Sequence, residues 1–238
     1  MILGRIAGAV AFCSVMHVAA VIAAPVTVVT EDYPPFNMQK DSNTVGISTD
    51  ILRGAFQKAG IDYKISMFPW ARAYDMATND ANTCVYSTTR TEEREGLFKW
   101  VGPLVRNDWV LFGRVDSPKL TSLNDAKNYT IGGYQGDALT NYLKAQGLKV
   151  DEANADRLNP QKLQAKRIDY WAAGAALGPY VASREGVTGL VPELQIKETQ
   201  MFLACNKGVS DEVVTKLNAA IKQMMDDGTV KTINAHYQ

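Results

Sequence analysis

Apolar residues recur along this chain with two alternating periods, and the alternation predicts its architecture. A β-branched run at 26–30 predicts a strand, after which Ile51, Leu52, Ala55, Phe56 and Ala59 keep helical spacing between a Ser48 cap region and Gly60. Strand patterns at 63–67 and 83–87 flank a helix at 70–78. A second series follows, with strands at 109–113, 130–133 and 168–171 and helices at 138–146 and 160–165. From a Ser210 cap, the residues Val213, Val214, Leu217, Ile221, Met224 and Met225 form an apolar stripe ended by Asp227-Gly228, which reads as core packing. Strands with helices between them argue for an α/β fold with mainly parallel sheets covered on both faces. No Gly/Ser-rich or Pro-rich linker, internal repeat or low-complexity tract divides the chain. Two lobes joined by short strand crossings therefore fit better than independent domains.

Residues 1–23 stand apart from this pattern. Met1 to Arg5 is a short basic start, 6–22 is almost wholly apolar, and Val21-Ile22-Ala23 offers small residues ahead of a cut before Ala24. That predicts a cleaved signal peptide and an exported, periplasmic protein. An uncleaved anchor is the alternative, since about 17 apolar residues is the lower limit for spanning a bilayer. Gly8, Ser14 and His17 weaken such a span, and bulky Phe12 ahead of Cys13 argues against a lipoprotein anchor.

The 238 residues carry 25 basic and 25 acidic side chains, and loss of Arg5 with the leader leaves a formal charge of minus one. No basic surplus suggests a nucleic-acid partner. Of three cysteines and two histidines, only Cys84, Cys205 and His236 remain beyond the leader. A zinc site or histidine-based triad has almost no material, so neither metal nor cofactor is expected. Cys84 and Cys205 lie in apolar, strand-like runs, and in an oxidising compartment they suggest one disulfide, with two buried free thiols as the alternative.

The sharpest chemical signal is Thr91-Glu92-Glu93-Arg94. Thr91 reads as an N-cap with two acids well placed in the first turn, and Arg94 then opposes the helix dipole. A residue that breaks a local rule is a candidate site residue. A guanidinium fork suits a carboxylate, which it grips through two parallel charge-assisted hydrogen bonds. The competing reading is a surface arginine paired with a neighbouring glutamate.

Thr30-Glu31-Asp32-Tyr33-Pro34-Pro35-Phe36, Val45-Gly46-Ile47-Ser48-Thr49-Asp50-Ile51-Leu52, and Thr91 to Arg94 with Lys99-Trp100-Val101-Gly102-Pro103 resemble the bacterial extracellular solute-binding protein family 3. The segment 131–136, Lys166-Arg167-Ile168-Asp169 and Asp227-Gly228-Thr229 continue the resemblance in order. It implies a two-lobed, type II periplasmic-binding-protein fold of the Venus-flytrap kind, with a mixed, mainly parallel sheet in each lobe. Lobe 1 would comprise 24–106 plus 198–238, and lobe 2 would comprise 107–197. The resemblance also implies that Arg94 grips a ligand carboxylate, that Ser87 and Thr89 support it, that Tyr33 lines the cleft and that Trp70 walls the ligand side chain. Trp70 read on its own residues is equally a core tryptophan.

Two departures limit the analogy. The acidic residue that receives an α-ammonium in the family aligns with Gly174, which cannot do so. Asp137 and Ala138 stand where hydroxyl residues are usual; Asp137 is an ordinary N-cap by its chemistry and a substitute cation anchor by its functional reading. Arg72 either faces solvent or adds a second guanidinium to the cleft. The implied function is capture of a small carboxylate-bearing solute, an amino acid or related polar metabolite, by a monomer that serves an ABC transporter permease in the inner membrane. A ligand-sensing module for a membrane receptor is the alternative. A cyclohexadienyl dehydratase-like enzyme is the weaker third reading, since Gly174 and the scarcity of histidine leave acid–base chemistry without groups.

Overall fold

The computed structural model describes residues 24–237, so the expected leader at 1–23 lies outside the described residues. In chain order the elements are β1 (Val26–Thr30), β2 (Met38–Lys40), β3 (Asn43–Val45), α1 (Ile47–Ala59), β4 (Tyr63–Met67), α2 (Trp70–Asn79), β5 (Thr83–Thr89), α3 (Glu92–Glu95) and β6 (Lys99–Arg106). They continue as β7 (Trp109–Arg114), β8 (Thr130–Tyr134), α4 (Ala138–Ala145), β9 (Lys149–Ala153), α5 (Asn159–Gln164), β10 (Tyr170–Gly174), α6 (Leu177–Arg184) and β11 (Leu190–Lys197). The chain then forms β12 (Gln200–Cys205), α7 (Asp211–Asp226) and α8 (Thr229–His236).

Two five-stranded sheets organise these elements, one ordered β4-β1-β5-β12-β6 and the other β11-β7-β10-β8-β9. Strands linked through helices pair parallel, as β1 does with β4 and β5 and as β8 does with β9 and β10. The strands that carry the chain between sheets pair antiparallel: β12 with β5 and β6, and β7 with β10 and β11. Both sheets are therefore mixed, with a larger antiparallel share than the alternating pattern alone predicts.

Successive residues of a strand face opposite ways, and the cores follow that rule. Val28 and Tyr86 pack with Ile51, Leu52, Phe56 and Leu217 under α1 and α7, whereas Val29 and Val85 pack with Ala73 and Ala77 under α2. In the second sheet Leu111 and Ile131 meet Leu139 and Leu143 of α4, and Phe112 and Trp171 meet Leu163 and Leu177 on the other face.

Several boundaries differ from the sequence expectation. Helix α1 begins at Ile47, so Ser48 lies inside its first turn and Gly46 is the N-cap, with φ 128°. A Cβ on Gly46 would fall 2.4 Å from the Phe36 carbonyl oxygen, so that backbone approach excludes other residues. Strand β10 starts at Tyr170 rather than 168, and Gly228 in left-handed conformation opens an additional helix, α8, whose Val230 and Ile233 pack only partly buried against the first core.

The chain leaves the first sheet between Arg106 and Trp109 and returns between Lys197 and Gln200. The two crossings bond to each other: Asn107 N–H donates to the Thr199 carbonyl at 2.8 Å, and the Thr199 hydroxyl donates back to the Asn107 carbonyl.

Cys84 and Cys205 face each other in the β5–β12 register and form a disulfide across a sequence separation of 121 residues. The bond closes a loop that contains the whole second sheet. In the chain-entropy account such a loop is worth about 5 kcal/mol, and removing a native disulfide commonly costs about 2 to 5 kcal/mol. The Cys84→Ala, Cys205→Ala double variant should therefore show a urea midpoint lowered in proportion and a melting temperature lower by about 2 to 4 °C per kcal/mol. An unchanged midpoint would show that the strand register alone fixes this pairing.

Candidate functional site

Arg94 sits where β5 ends. Its helix, α3, is a single turn; Thr91 occupies the N-cap position, but its hydroxyl makes no cap bond and is buried without a partner. The neighbouring acid Glu95 is taken by Arg90, at 2.6 Å from Nε. Arg94 is only 7% exposed and turns inward, so the reading as a paired surface arginine does not hold. Nη1 donates to the Thr89 carbonyl and Nη2 to the Gly136 carbonyl, each at 3.2 Å, and the guanidinium carbon lies 5.5 Å from the Trp70 ring centre and 5.0 Å from that of Tyr74. No carboxylate among the described residues lies within salt-bridge distance of it. Two carbonyls, the Tyr74 side chain and the Trp70 face leave donors of the guanidinium without an ion-pair partner, Asp137 acting on it only from beyond salt-bridge distance.

The surrounding side chains come from both sheets. Pro69 starts α2 and delivers Trp70, 5% exposed, whose Nε1 donates to the same Gly136 carbonyl at 3.0 Å. Trp70 is thus both a core residue, packed with Val29 and Phe98, and a wall of the site. Ser87 adopts φ 56°, an unusual conformation for a residue other than glycine, and its hydroxyl donates to Asn37 Oδ1. Asn37 in turn donates to the Glu31 carbonyl at 2.6 Å. From the second sheet, Asp137 caps α4 by accepting from Leu139 and Thr140 N–H at 3.0 and 3.3 Å.

Together Tyr33, Trp70, Ser87, Thr89, Arg94 and Asp137 line one chamber of about 10 Å³ between the sheets, completed by Glu31, Asn107 and Met201. That volume is about one water's worth of space, so the two lobes are closed directly on each other. Arg72 is not among these residues. It is exposed and lies 4.5 Å over the Phe68 ring, because its position on α2 points away from Arg94. Sequence reasoning assigned no role to Glu31, Asn107 or Met201. Glu31 was visible inside the motif that contains Tyr33, whereas Asn107 carries no signal beyond its place at the crossing.

A larger cavity of about 380 Å³ adjoins the chamber through Glu31 and Tyr33, with Phe68, Tyr134, Asp156 and Leu177 among its walls. Its mouth carries the exposed ion pair Asp32–Arg184, at 3.0 Å, a contact between lobes worth little by itself. Burial pushes the carboxyls of Glu31 and Asp137 above their ordinary range; charge repulsion from Asp137 and Asp156 adds to the shift at Glu31, while Arg94 pulls Asp137 back. Asp156 is pushed up to about 7 by burial, against hydrogen bonds from Asn159 Nδ2 at 2.9 Å and Trp171 Nε1 at 2.8 Å. Desolvation likewise raises Tyr33 and Tyr134.

The family model for bacterial extracellular solute-binding proteins, family 3, matches residues 26–238. No curated protein matches the chain. Among solved structures, a histidine kinase sensor domain with similarity to periplasmic binding proteins superposes with a TM-score of 0.84 at 18% identity, covering 90% of this chain and 95% of that one. The arginine-, lysine-, histidine-binding protein ArtJ from Geobacillus stearothermophilus gives 0.79 at 17% identity, over 90% and 95% of the two chains. An ancestral arginine-binding protein bound to arginine gives 0.77 at 22% identity, over 90% and 97%. Identities this low establish the shared fold.

The raised carboxyls set a stability trend with pH. A carboxyl that holds its proton more tightly folded than unfolded stabilises the fold fully below its unfolded value, near 4, and loses that contribution as pH rises to its folded value. For Asp156 the window ends at about 7. Thermal melts of the unliganded protein should therefore rise by a few degrees between pH 8 and pH 6, at about 2 to 4 °C per kcal/mol. Asp156→Asn, which keeps the oxygen that accepts from Trp171, should flatten the trend; a variant with the wild-type slope would exclude Asp156 as its source.

Proposed function

This chain belongs to the bacterial extracellular solute-binding proteins, family 3, and we propose that it captures a small carboxylate-bearing solute between its lobes for an ABC transporter permease. Export by a cleaved leader would place it in the periplasm. The observation that carries the reading is Arg94: a guanidinium buried at the lobe junction, bonded to neutral groups and, among the described residues, in no salt bridge. A ligand carboxylate would accept two parallel charge-assisted bonds there, with the Thr89 hydroxyl beside it and Trp70 and Tyr33 as walls. Entry requires the lobes to part, since the Gly136 carbonyl now takes both Arg94 Nη2 and Trp70 Nε1. The hydrogen-bonded crossings at 106–109 and 197–200 would serve as the hinge.

A sensing role for a membrane receptor uses the same cleft and differs in the outer surface that meets its partner; the likeness to a histidine kinase sensor domain favours keeping it as the second reading. Neighbouring transporter or receptor genes separate the two. An enzymatic role has less support, because the acid it would want is Gly174 and His236 lies at the far end of the last helix.

The test begins with a thermal-shift screen of amino acids, amines and small organic acids, in which a compound at about 100 times its dissociation constant adds roughly 2.7 kcal/mol of stability. Arg94→Ala should weaken binding of the compound found by about 30-fold to several thousand-fold, the range set by about 2 to 5 kcal/mol for a buried charged pair. Arg94→Lys should recover part of that, since it keeps the charge without the planar fork. Calorimetric titration that finds near-normal affinity in a folded Arg94→Ala protein would move the anchor elsewhere.

A further inference from the structure

Gly174 ends β10, fully enclosed, where the family resemblance expects an acid. A Cβ built on it would lie 2.2 Å from Asn107 Oδ1 and 3.1 Å from the Tyr33 hydroxyl. The volume an acidic side chain would need is therefore already filled from the crossing strand. Asn107 is 4% exposed; its Nδ2 donates to the Tyr33 hydroxyl at 3.3 Å, while its Oδ1 is buried with no hydrogen-bond partner. Buried acceptors are nearly always satisfied, and leaving one unmade costs about 1 to 3 kcal/mol. This one lies in the lining of the Arg94 chamber.

The same lining contains the carboxyls of Glu31 and Asp137, and no lysine or arginine among the described residues forms a salt bridge with either. Asp137 is engaged with the N-terminus of α4, whereas Glu31 has a hydrogen bond from the neutral Tyr134 hydroxyl and, among the described residues, no cationic partner. The lining thus holds both donors, from Arg94 and Trp70, and acceptors, from Asn107 and Glu31. Burial raises Glu31, and a cation beside it is what would restore its charge.

We propose that Asn107 Oδ1, together with the Glu31 carboxylate, receives a protonated nitrogen of the ligand, replacing from the hinge and from lobe 1 the acid that Gly174 lacks. The inference rests on Arg94 as the carboxylate anchor and specifies the ligand class as a zwitterion whose ammonium meets one neutral and one acidic acceptor. Asn107 is then a specificity-determining residue, and because it sits at the crossing, its ligand bond couples recognition to closure.

The experiment titrates four matched pairs into the mature protein by calorimetry: L-leucine and isocaproate, L-glutamine and glutaramate, L-glutamate and glutarate, L-arginine and guanidinovalerate. The members of each pair differ by the α-nitrogen. The amino acid of a binding pair should bind at least about tenfold more tightly than its deamino partner, as a charged hydrogen bond of about 1.5 to 3 kcal/mol requires. Asn107→Ala and Glu31→Gln should each abolish most of that difference. Asn107→Asp, isosteric and able to accept from a Tyr33 hydroxyl that turns to donate, should keep or increase it while weakening the deamino acid. A merely structural asparagine would weaken both members alike, and that outcome overturns the proposal; where Asn107→Ala does not fold, the same comparison is read in Asn107→Asp and Glu31→Gln. Equal binding of both members, still lost in Arg94→Ala, overturns this inference and leaves the carboxylate anchor standing. A panel without any Arg94-dependent binder overturns the proposed function and this inference with it.

Discussion

A guanidinium held out of water at the junction of two lobes, with no carboxylate of its own, is the constraint on which the site depends. Isolated charges are costly to bury, and an arginine does not escape by losing its proton. The protein offsets that cost with the Thr89 and Gly136 carbonyls and the faces of Trp70 and Tyr74. Three of these groups sit just beyond or at the carboxyl end of a strand, Thr89 on β5, Trp70 after β4 and Gly136 after β8, and Tyr74 follows one turn along α2. The parallel halves of the two sheets place those ends toward each other, the crevice where open α/β sheets bind ligands.

Holding that arrangement requires the second lobe to be an insertion in the first. The chain leaves by β6, builds β7 to β11 and returns as β12 into the middle of the original sheet, between β5 and β6. The Cys84–Cys205 bond fixes that return beside the strand that carries Ser87 and Thr89. The disulfide lies behind the site, whereas burial holds Glu31, Asp137 and Asp156 in conditions that disfavour their charged forms, with repulsion from Asp137 adding to the effect at Glu31 and Asp156. Opposed environments for acids and a base in one crevice mark it as a candidate functional site.

Arg94 was legible in the sequence because it contradicts its own helix, and the strands 26–30 and 63–67 were legible because their side chains are β-branched or alternate cleanly. Asp137 is the N-cap that its chemistry suggests, and that cap also lies in the lining of the chamber. Arg72 remained ambiguous because a two-residue step along α2 from Trp70 does not say which way that helix turns its faces. Strand β11 hid behind Pro192 and two register shifts, the usual irregularity of an edge. Asn107 was invisible for a different reason: its meaning depends on filling the space that the missing side chain of Gly174 leaves, on a strand 67 positions later in the chain.

The Gly136 carbonyl gives the closed geometry its chemical logic. A single oxygen of lobe 2 accepts from two lobe 1 donors, Arg94 Nη2 and Trp70 Nε1, so the lobes touch through the groups that a carboxylate would occupy. A neutral carbonyl is the weaker acceptor, charge-assisted bonds being roughly twice as strong. In the proposed function, closure without ligand would be held by a substitute that a carboxylate would outcompete. A ligand shifts such an equilibrium only by the difference in its affinity for the two states. That difference is supplied where lobe 1 donors and lobe 2 groups reach the same guest, which Arg94 alone, anchored on one lobe, does not provide.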